Sequence, residues 1–114
     1  ITTLMKERLG DVVEDVRATK SLVDSPVRLT AREGGFDFNL ERILKAQNPN
    51  FEVSKKILEI NLNHELIQKI PNLSSELQIS VCRLLVEQAR ILDGEMPSDP
   101  RQFSQDLILI SQSL

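Results

Sequence analysis

The residues of this chain that could do chemistry are few. His64 is the only histidine, and Glu65 follows it directly, so the two could act as a general acid–base pair. The same residues fit the first turn of a capped helix, where the positive end of the helix dipole favours a glutamate. A metal site with several histidine ligands is excluded. A small hydrolase built on His64 and Glu65 remains a hypothesis that only their adjacency favours.

The single cysteine, Cys82, lies in an apolar stretch that is predicted to be helical. Nothing in the sequence around it indicates a lowered pKa, so we expect a small buried hydrophobic residue rather than a nucleophile paired with His64. One cysteine cannot form a disulfide within the chain. This favours a reducing compartment.

Two further sequence features do not indicate a functional site. The glycine pair Gly34-Gly35 is not followed by the Lys-Ser/Thr that a phosphate-binding loop needs. Asp11, Glu14 and Asp15 lie close together, which is typical of a solvated face. We therefore predict no catalytic residue, no metal site and no cofactor site in this chain, and a binding function rather than catalysis.

Length and composition are those of one globular domain, residues 1–114, with a modest core. The formal net charge is −3, and there is no Trp and no Tyr, which argues against a nucleic-acid partner because such proteins need a basic face and aromatic stacking platforms. No run approaches the ~20 apolar residues of a membrane span, so no membrane partner is expected. The chain begins with Ile1 rather than Met, which suggests a segment cut out of a longer protein or a processed product.

Three strands are predicted. Residues 15–20 form a plausible first strand, and Val27–Arg32 alternates apolar and polar residues with a period of two. The short link between them suggests a hairpin. Residues 57–60 form the third strand.

About five helices are predicted, and most of them come late in the chain. The first spans 3–9, with Thr2 or Thr3 as its N-cap and Gly10 past its end. The second follows Gly34-Gly35 and ends at Asn48-Pro49. The third starts at an Asn63 cap, with Leu66, Ile67 and Ile70 as its apolar stripe.

The last two helices have the clearest start signals. Ser75 and Gln78 fit a capping box for a helix that Gly94 ends, and Asp99-Pro100 fits the start of the final helix. The predicted fold class is α+β: a small three-stranded sheet packed with about five helices.

These last two helices carry apolar residues over more than the ~100° stripe that one core requires. Either they form an internal hairpin, or one face packs on a second chain to give a four-helix bundle between two copies. The second reading predicts a homodimer. Its interface residues would be Val81, Leu84, Leu85, Gln88, Leu92, Phe103, Leu107, Ile108, Ile110 and Leu114.

A second apolar group follows the glycine pair and consists of Phe36, Phe38, Leu40, Ile43 and Leu44. If the helix that carries it is loosely docked, this group forms a patch suited to contact with a partner or an unfolded client protein. The alternative is an ordinary helix packed on the sheet.

Two segments carry a resemblance to a known family. Asn39–Gln47 reads Asn-Leu-Glu-Arg-Ile-Leu-Lys-Ala-Gln, and Leu58–His64 reads Leu-Glu-Ile-Asn-Leu-Asn-His. Both resemble segments in the C-terminal domain of the heat-shock protein 90 (HtpG-type) chaperones. Leu9–Arg17, Ser21–Pro26 and Asp99–Phe103 also resemble that family, in the same order, so the resemblance covers nearly the whole chain.

The resemblance implies the homodimerisation domain of an ATP-dependent chaperone that assists folding under stress. In that family the last two helices pair the subunits and an amphipathic helix near the cleft contacts clients; here that helix corresponds to the segment around Leu40–Ala46. ATP and magnesium would bind to an N-terminal domain that, like the middle domain, is absent here.

The chain departs from the family pattern at several positions, and these differences indicate which branch of the family it resembles. Leu62 and Glu65 stand where many members have prolines, which changes the turn before the third helix. The chain ends without the Met-Glu-Glu-Val-Asp tail of the eukaryotic cytosolic members. The resemblance therefore implies a bacterial or organellar protein, with a cytoplasmic location expected. The competing hypothesis is a monomeric adaptor that binds a partner helix through the patch around Leu40.

Overall fold

The computed structural model describes residues 1–114 and has five helices and three strands. The helices are α1 (Thr2–Leu9), α2 (Phe38–Gln47), α3 (Glu65–Lys69), α4 (Ser75–Leu92) and α5 (Pro100–Gln112). The strands are β1 (Asp15–Ala18), β2 (Val27–Ala31) and β3 (Lys56–Ile60). Short 3-10 turns at Gly10–Val12 and Ile70–Asn72 follow α1 and α3. The predicted α+β class is confirmed.

The sheet has the order β1-β3-β2, so β3 is its central strand. Leu58 lies opposite Val16 in the parallel pair with β1 and opposite Leu29 in the antiparallel pair with β2. The predicted hairpin of the first two strands is therefore wrong. A strand buried on both sides reads as a continuous apolar run, and β3 is the strand that contains such a run, Ile57-Leu58 followed by Ile60.

One core joins the sheet to α1, α3 and α4. Met5 from α1, Leu58 and Ile60 from β3, Ile67 from α3 and Val86 from α4 are all almost completely buried in one cluster. Leu66 packs at the edge of the cluster, as the predicted stripe of α3 requires. The core thus uses one face of α4 and leaves the rest of that helix for other contacts.

Two predicted helix caps are displaced by one or two residues. The N-cap of α1 is Ile1, without a side-chain bond, rather than Thr2 or Thr3. The N-cap of α3 is His64 rather than Asn63: the His64 Nδ1 accepts a hydrogen bond from the Leu66 amide at 3.1 Å. Asn63 is held just before the helix because its amide donates to the Asn61 Oδ1 at 3.0 Å.

The capping box predicted at Ser75 is also wrong. Ser74 caps α4 by accepting a hydrogen bond from the Leu77 amide at 3.3 Å. Gln78 instead donates to the Ile70 carbonyl at 3.1 Å and accepts from the Arg8 Nε at 3.0 Å. The polar side chain that resembled a cap therefore connects α4 to α1 and to the turn after α3.

The predicted end of α4 and the predicted start of α5 are confirmed. Gly94 has a φ of +85°, the left-handed conformation that glycine adopts most readily after a helix. Asp99 caps α5 by accepting from the Gln102 amide at 3.1 Å, with Pro100 as the first helical residue.

Candidate functional site

Helix α4 presents three faces. The first packs into the core and includes Cys82, Val86 and Ala89. The second carries polar residues that contact α5. The third is left without a partner, and along it lie Leu77, Leu84, Gln88 and Ile91, which are half-buried or exposed.

Asp106 on α5 anchors that helix to the polar face of α4. It is 2% exposed and accepts hydrogen bonds from the Ser80 Oγ at 3.0 Å and from Arg83 through Nε at 2.9 Å and Nη2 at 2.8 Å. A two-pronged guanidinium–carboxylate contact fixes orientation as well as distance. Because α5 is attached through this polar side, Leu107 and Ile108 remain about half exposed, at 50% and 54%.

The predicted interface residues therefore fall into three groups. Leu92, Leu107, Ile108 and Leu114 are exposed. Leu84, Gln88, Phe103 and Ile110 are half-buried at the edges of the helix pair. Val81 and Leu85, at 8% and 5% exposure, belong to the chain's own core, so a second chain could touch them only marginally.

Two residues of the uncovered face of α4 were not among the predicted ones. Leu77 is half-buried and Ile91 is 43% exposed, and both align with Leu84 on the same side of α4. Leu77 and Ile91 each lie seven residues from Leu84 along the chain. The signal that could have found them is this spacing, two helical turns at a time.

Helix α2 turns its apolar stripe outward. Asp37 caps it by accepting from the Leu40 amide at 2.8 Å. Phe36, Leu40 and Ile43 are 41%, 40% and 52% exposed. Of the predicted client-contact group, Phe38 and Leu44 are the half-buried members. The helix is thus docked and its apolar side is nevertheless accessible, a combination of the two alternatives drawn from the sequence.

The side of α2 that faces the protein is charged. Glu41 is 2% exposed and forms an ion pair with Lys56 of β3, which is 4% exposed. The Ser54 amide donates to the second oxygen of Glu41 at 2.8 Å. The Lys56 Nζ also lies 4.7 Å from the centre of the Phe38 ring, within the range of a cation–π contact. Neither Glu41 nor Lys56 was predicted from the sequence to be buried.

Arg42 links α2 to the end of α4. Its guanidinium donates to the Asp93 carbonyl at 3.2 Å and to the Gly94 carbonyl at 3.3 Å. A cation at the C-terminus of a helix satisfies free carbonyls and is favoured by the negative end of the helix dipole. Arg42 therefore ties the helix with the outward apolar stripe to the helix with the uncovered face.

The remaining chemical candidates have structural roles. The His64 Nδ1 is occupied as a helix cap. Burial raises the pKa of the Cys82 thiol to about 11, which keeps it protonated and a poor nucleophile at neutral pH. No group of three or more His, Cys, Asp and Glu side chains lies close enough to hold a metal ion, and none of the helices is long and apolar enough to cross a membrane.

The acidic group near the start of the chain is solvated, as predicted. Asp11 is fully exposed. Asp15 accepts from the Arg17 Nε at 3.1 Å and from the Val16 amide at 2.8 Å, and these hydrogen bonds, with that of Arg17 first, lower the pKa of its carboxyl group.

Comparison with known proteins decides the family. The family model described as Hsp90 protein matches residues 1–114. This chain belongs to the Hsp90 family. Among its curated relatives, each named Chaperone protein HtpG, that of Nitrobacter winogradskyi is 42% identical over 107 residues, covering 91% of this chain and 17% of the relative. That of Rhizobium etli is 44% identical over 104 residues, covering 90% of this chain and 16% of the relative.

The Hsp90 match includes both apolar surfaces, that of α2 and that of α4 and α5, because it extends over the whole chain. The chain spans about a sixth of the length of the curated relatives it matches. Family membership thus applies to all of the structure described here.

Proposed function

We propose that this chain is the C-terminal dimerisation domain of an Hsp90-family chaperone and pairs two subunits through α4 and α5. The observation that carries the proposal is the uncovered apolar surface of this helix pair. Leu107 and Ile108 on α5 and Ile91 and Leu92 on α4 are 43–69% exposed, although each helix is firmly attached to the domain by another face.

The geometry of a helix pair limits how such a surface can be covered. Two antiparallel neighbours from one chain and two from a second copy make a four-helix bundle around a two-fold axis, in which the same surface of each copy meets itself. Fully burying one large aliphatic side chain contributes about 1.5–3 kcal/mol. Several such side chains per copy are enough to offset the entropy lost when two chains associate.

The chaperone activity itself follows from the family and extends beyond this chain. We infer that ATP and magnesium bind elsewhere in the full-length protein and that this segment contributes no catalytic residue, since His64 and Cys82 have structural roles. The bacterial relatives and the single buried cysteine support a cytoplasmic location.

The test is the solution mass of the chain, measured by light scattering over a dilution series. The monomer has a mass of 12.9 kDa, and we expect a species of twice that mass. Leu107→Glu should give a monomer, because pairing of two variant chains would bury two unpaired carboxylates close to the two-fold axis. Gln105→Glu is the matched control, because Gln105 is exposed on the same helix but away from Leu107.

Two results would overturn the proposal. One is a strict monomer at high protein concentration, and the other is a dimer that Leu107→Glu and Gln105→Glu affect equally. In the first case the monomeric adaptor that binds a partner helix becomes the better account of the apolar surfaces. In the second case the two copies pair through a surface other than the apolar side of α4 and α5.

We also propose that α2 contacts unfolded or partly folded client proteins. The observation that favours this is the exposure of Leu40 and Ile43 on α2 and of Phe36 just before it, while Glu41, on the side of α2 that faces the protein, is held by its ion pair with Lys56. Such a stripe is accessible without any rearrangement of the domain.

A further inference from the structure

A cavity of about 330 Å³ lies beneath α2, between that helix, β2, β3 and the C-terminal half of α4. Sites for small ligands begin at about 300 Å³, so the cavity is large enough for one. Six of its fourteen lining residues are apolar. Val86 among them is buried, whereas Val12 and Val53 are 44% and 58% exposed. The apolar part of a ligand therefore has a surface to bind.

The polar part of the lining is mostly cationic. Five Lys and Arg side chains line the cavity against two carboxylates, although the whole chain has a net charge of −3. Of these carboxylates, Glu41 is neutralised by Lys56, and Glu95 lies 3.8 Å from Arg42. The cations that remain are Lys45, Lys55 and Arg90. The cavity therefore favours an anion.

The two remaining lysines have no buried counter-charge. Lys45 is exposed on α2 and forms no ion pair within the chain. Lys55 lies 3.9 Å from Asp11, whose side chain is fully exposed. A pair of this kind contributes about 0–1 kcal/mol at most, so it leaves the charge of Lys55 available to a ligand.

Arg90 is the arginine of the cavity that makes no hydrogen bond within the chain. Its Nε is enclosed and lies 3.6 Å from the Glu87 Oε2, beyond hydrogen-bond distance. The Glu87 carboxylate instead accepts from the Ser98 amide and hydroxyl, at 3.0 Å and 2.7 Å. The two terminal nitrogens of Arg90 are unbonded too, but they are not enclosed, and the side chain is 25% exposed. A ligand in the cavity can therefore reach these nitrogens, although it cannot reach Nε.

The guanidinium group of Arg90 is oriented by an aromatic ring. Its Cζ lies 5.3 Å from the centre of the Phe38 ring, which the Lys56 Nζ also approaches, at 4.7 Å. Contact with an aromatic face holds a guanidinium without using its hydrogen-bond donors. Two terminal nitrogens in this fixed plane match the two oxygens of a carboxylate.

We propose that this cavity binds a small organic carboxylate whose apolar part is about the size of one aromatic ring. The terminal nitrogens of Arg90 donate to the carboxylate, Lys45 attracts it electrostatically, and the apolar part contacts Phe38 and Val53. Arg90 belongs to α4, whereas Phe38 and Lys45 belong to α2, so the ligand holds the two helices together. The site lies on the opposite side of α2 from Ile43, and the inference is independent of dimerisation and of client contact.

The first experiment is a titration of the isotope-labelled chain with three compounds, followed by its amide signals in nuclear magnetic resonance. The compounds are 3-phenylpropanoate, the neutral 3-phenylpropanamide, and propanoate, which lacks the ring. We expect 3-phenylpropanoate to bind with a Kd of roughly 1 mM and to shift the signals of Val53–Lys56 and Arg90. The other two compounds should bind at least about ten-fold more weakly, because each lacks one half of the contacts.

Substitutions in the cavity test the role of each cation. Arg90→Gln should weaken binding of 3-phenylpropanoate about ten-fold or more, and Arg90→Lys, which keeps the charge but loses the paired donors, should be intermediate. Lys45→Gln, at an exposed position, should weaken it about two- to three-fold. Lys69→Gln is the matched control, because Lys69 is an exposed lysine of α3 outside the cavity, and it should leave the Kd unchanged.

Amide hydrogen exchange gives a second readout. The site is complete only while α2 is docked, so the ligand binds the docked form and stabilises it by mass action. At ten times the Kd, exchange of residues 38–47 should slow about ten-fold where it proceeds by release of α2. In Arg90→Gln the same ligand concentration should have little effect.

Several results would overturn the proposal. One is equal affinity for 3-phenylpropanoate and its amide, and another is a set of shifted signals confined to α5. A third is an equal loss of affinity in Lys45→Gln and Lys69→Gln, which decides the matter even if the amide spectrum of Arg90→Gln shows that this variant is misfolded. If inorganic phosphate displaces 3-phenylpropanoate at equal concentration, the cavity binds anions in general and the assignment to an organic carboxylate is wrong.

Discussion

Glu41 and Lys56 are the residues that decide which side of α2 faces the protein. Both are almost completely buried, and each charge has its counter-charge in the other. Ser54 forms further hydrogen bonds with both members of the pair. Its amide donates to Glu41, and its carbonyl accepts from the Lys56 Nζ at 3.1 Å. A buried ion pair contributes little net stability, but removing one partner is costly because the other charge is left unpaired.

We therefore predict that Glu41→Gln destabilises the attachment of α2. The expected loss is about 3–5 kcal/mol if the helix stays docked, the range for breaking a buried pair. If α2 instead detaches while the rest of the domain stays folded, the global free energy of unfolding falls by less than this. Urea denaturation gives the global free energy of unfolding, and amide hydrogen exchange of residues 38–47 reports the local release.

The matched control is Glu59→Gln. Glu59 of β3 accepts from the Arg28 Nε of β2 at 2.6 Å, and the side chains of Glu59 and Arg28 are 22% and 43% exposed. An exposed or half-exposed pair contributes about 0–1 kcal/mol, so this substitution should change little. Equal losses in Glu41→Gln and Glu59→Gln would show that burial of the first pair has no special role.

At the scale of elements, α2 is an amphipathic helix whose apolar side faces solvent and whose charged side faces the protein. Charged Glu41 is its one fully buried residue, whereas Leu40 and Ile43 face solvent. Such an arrangement presents an apolar stripe on a fixed support, which suits contact with varied partners more than packing within one domain.

We predict that Ile43→Asp weakens binding of unfolded protein roughly ten-fold, the equivalent of losing about 1.4 kcal/mol of apolar contact. Ile43 is 52% exposed, so the stability of the domain should change by no more than about 0.5 kcal/mol. The measurement is fluorescence anisotropy of a labelled, permanently unfolded reporter chain titrated with the protein.

Lys45→Gln is the control for this experiment. It makes the net charge more negative by one unit, as Ile43→Asp does, at an exposed position on the opposite side of α2 from Ile43. If it weakens binding as much as Ile43→Asp, the effect is electrostatic and the apolar stripe is not the contact surface.

Most elements could be predicted from the sequence because their signals are local. Asp99-Pro100 and Gly94 give the limits of the last helices through cap chemistry that needs no tertiary context. The strand order could not be predicted in this way, because β3 enters between β1 and β2 from more than twenty residues further along the chain. A short link suggests a hairpin only when no third strand competes for the same edges.

The candidate surfaces, too, could be predicted only in part from the sequence. The spacing of Phe103, Leu107 and Ile110 predicted an apolar stripe on the final helix, and Leu107 is 50% exposed there, whereas Leu114 lies beyond the end of α5. The burial of Glu41 could not be predicted, because a charged residue is expected to face water until its partner is known. That partner, Lys56, lies fifteen residues further along the chain, on the central strand.

At the scale of the whole molecule, the chain is more extended than its length requires. Its radius of gyration is 14.5 Å, compared with about 13 Å for a compact domain of this length. Only 23 of its 114 residues are buried, and one cluster of 15 residues forms the core. So small an interior leaves the isolated chain with modest stability, and covering α4 and α5 would add the most to it.

We therefore predict that thermal stability depends on protein concentration. If folding is coupled to pairing, mass action raises the unfolding midpoint by about 2–5 °C for each ten-fold increase in concentration. Leu107→Glu, which should separate the copies, should unfold at a lower temperature that does not change with concentration. Differential scanning calorimetry over a hundred-fold range of concentration makes the comparison. A midpoint of the unsubstituted protein that is constant over this range would mean that the exposed apolar residues of α4 and α5 contribute nothing to stability through a second copy.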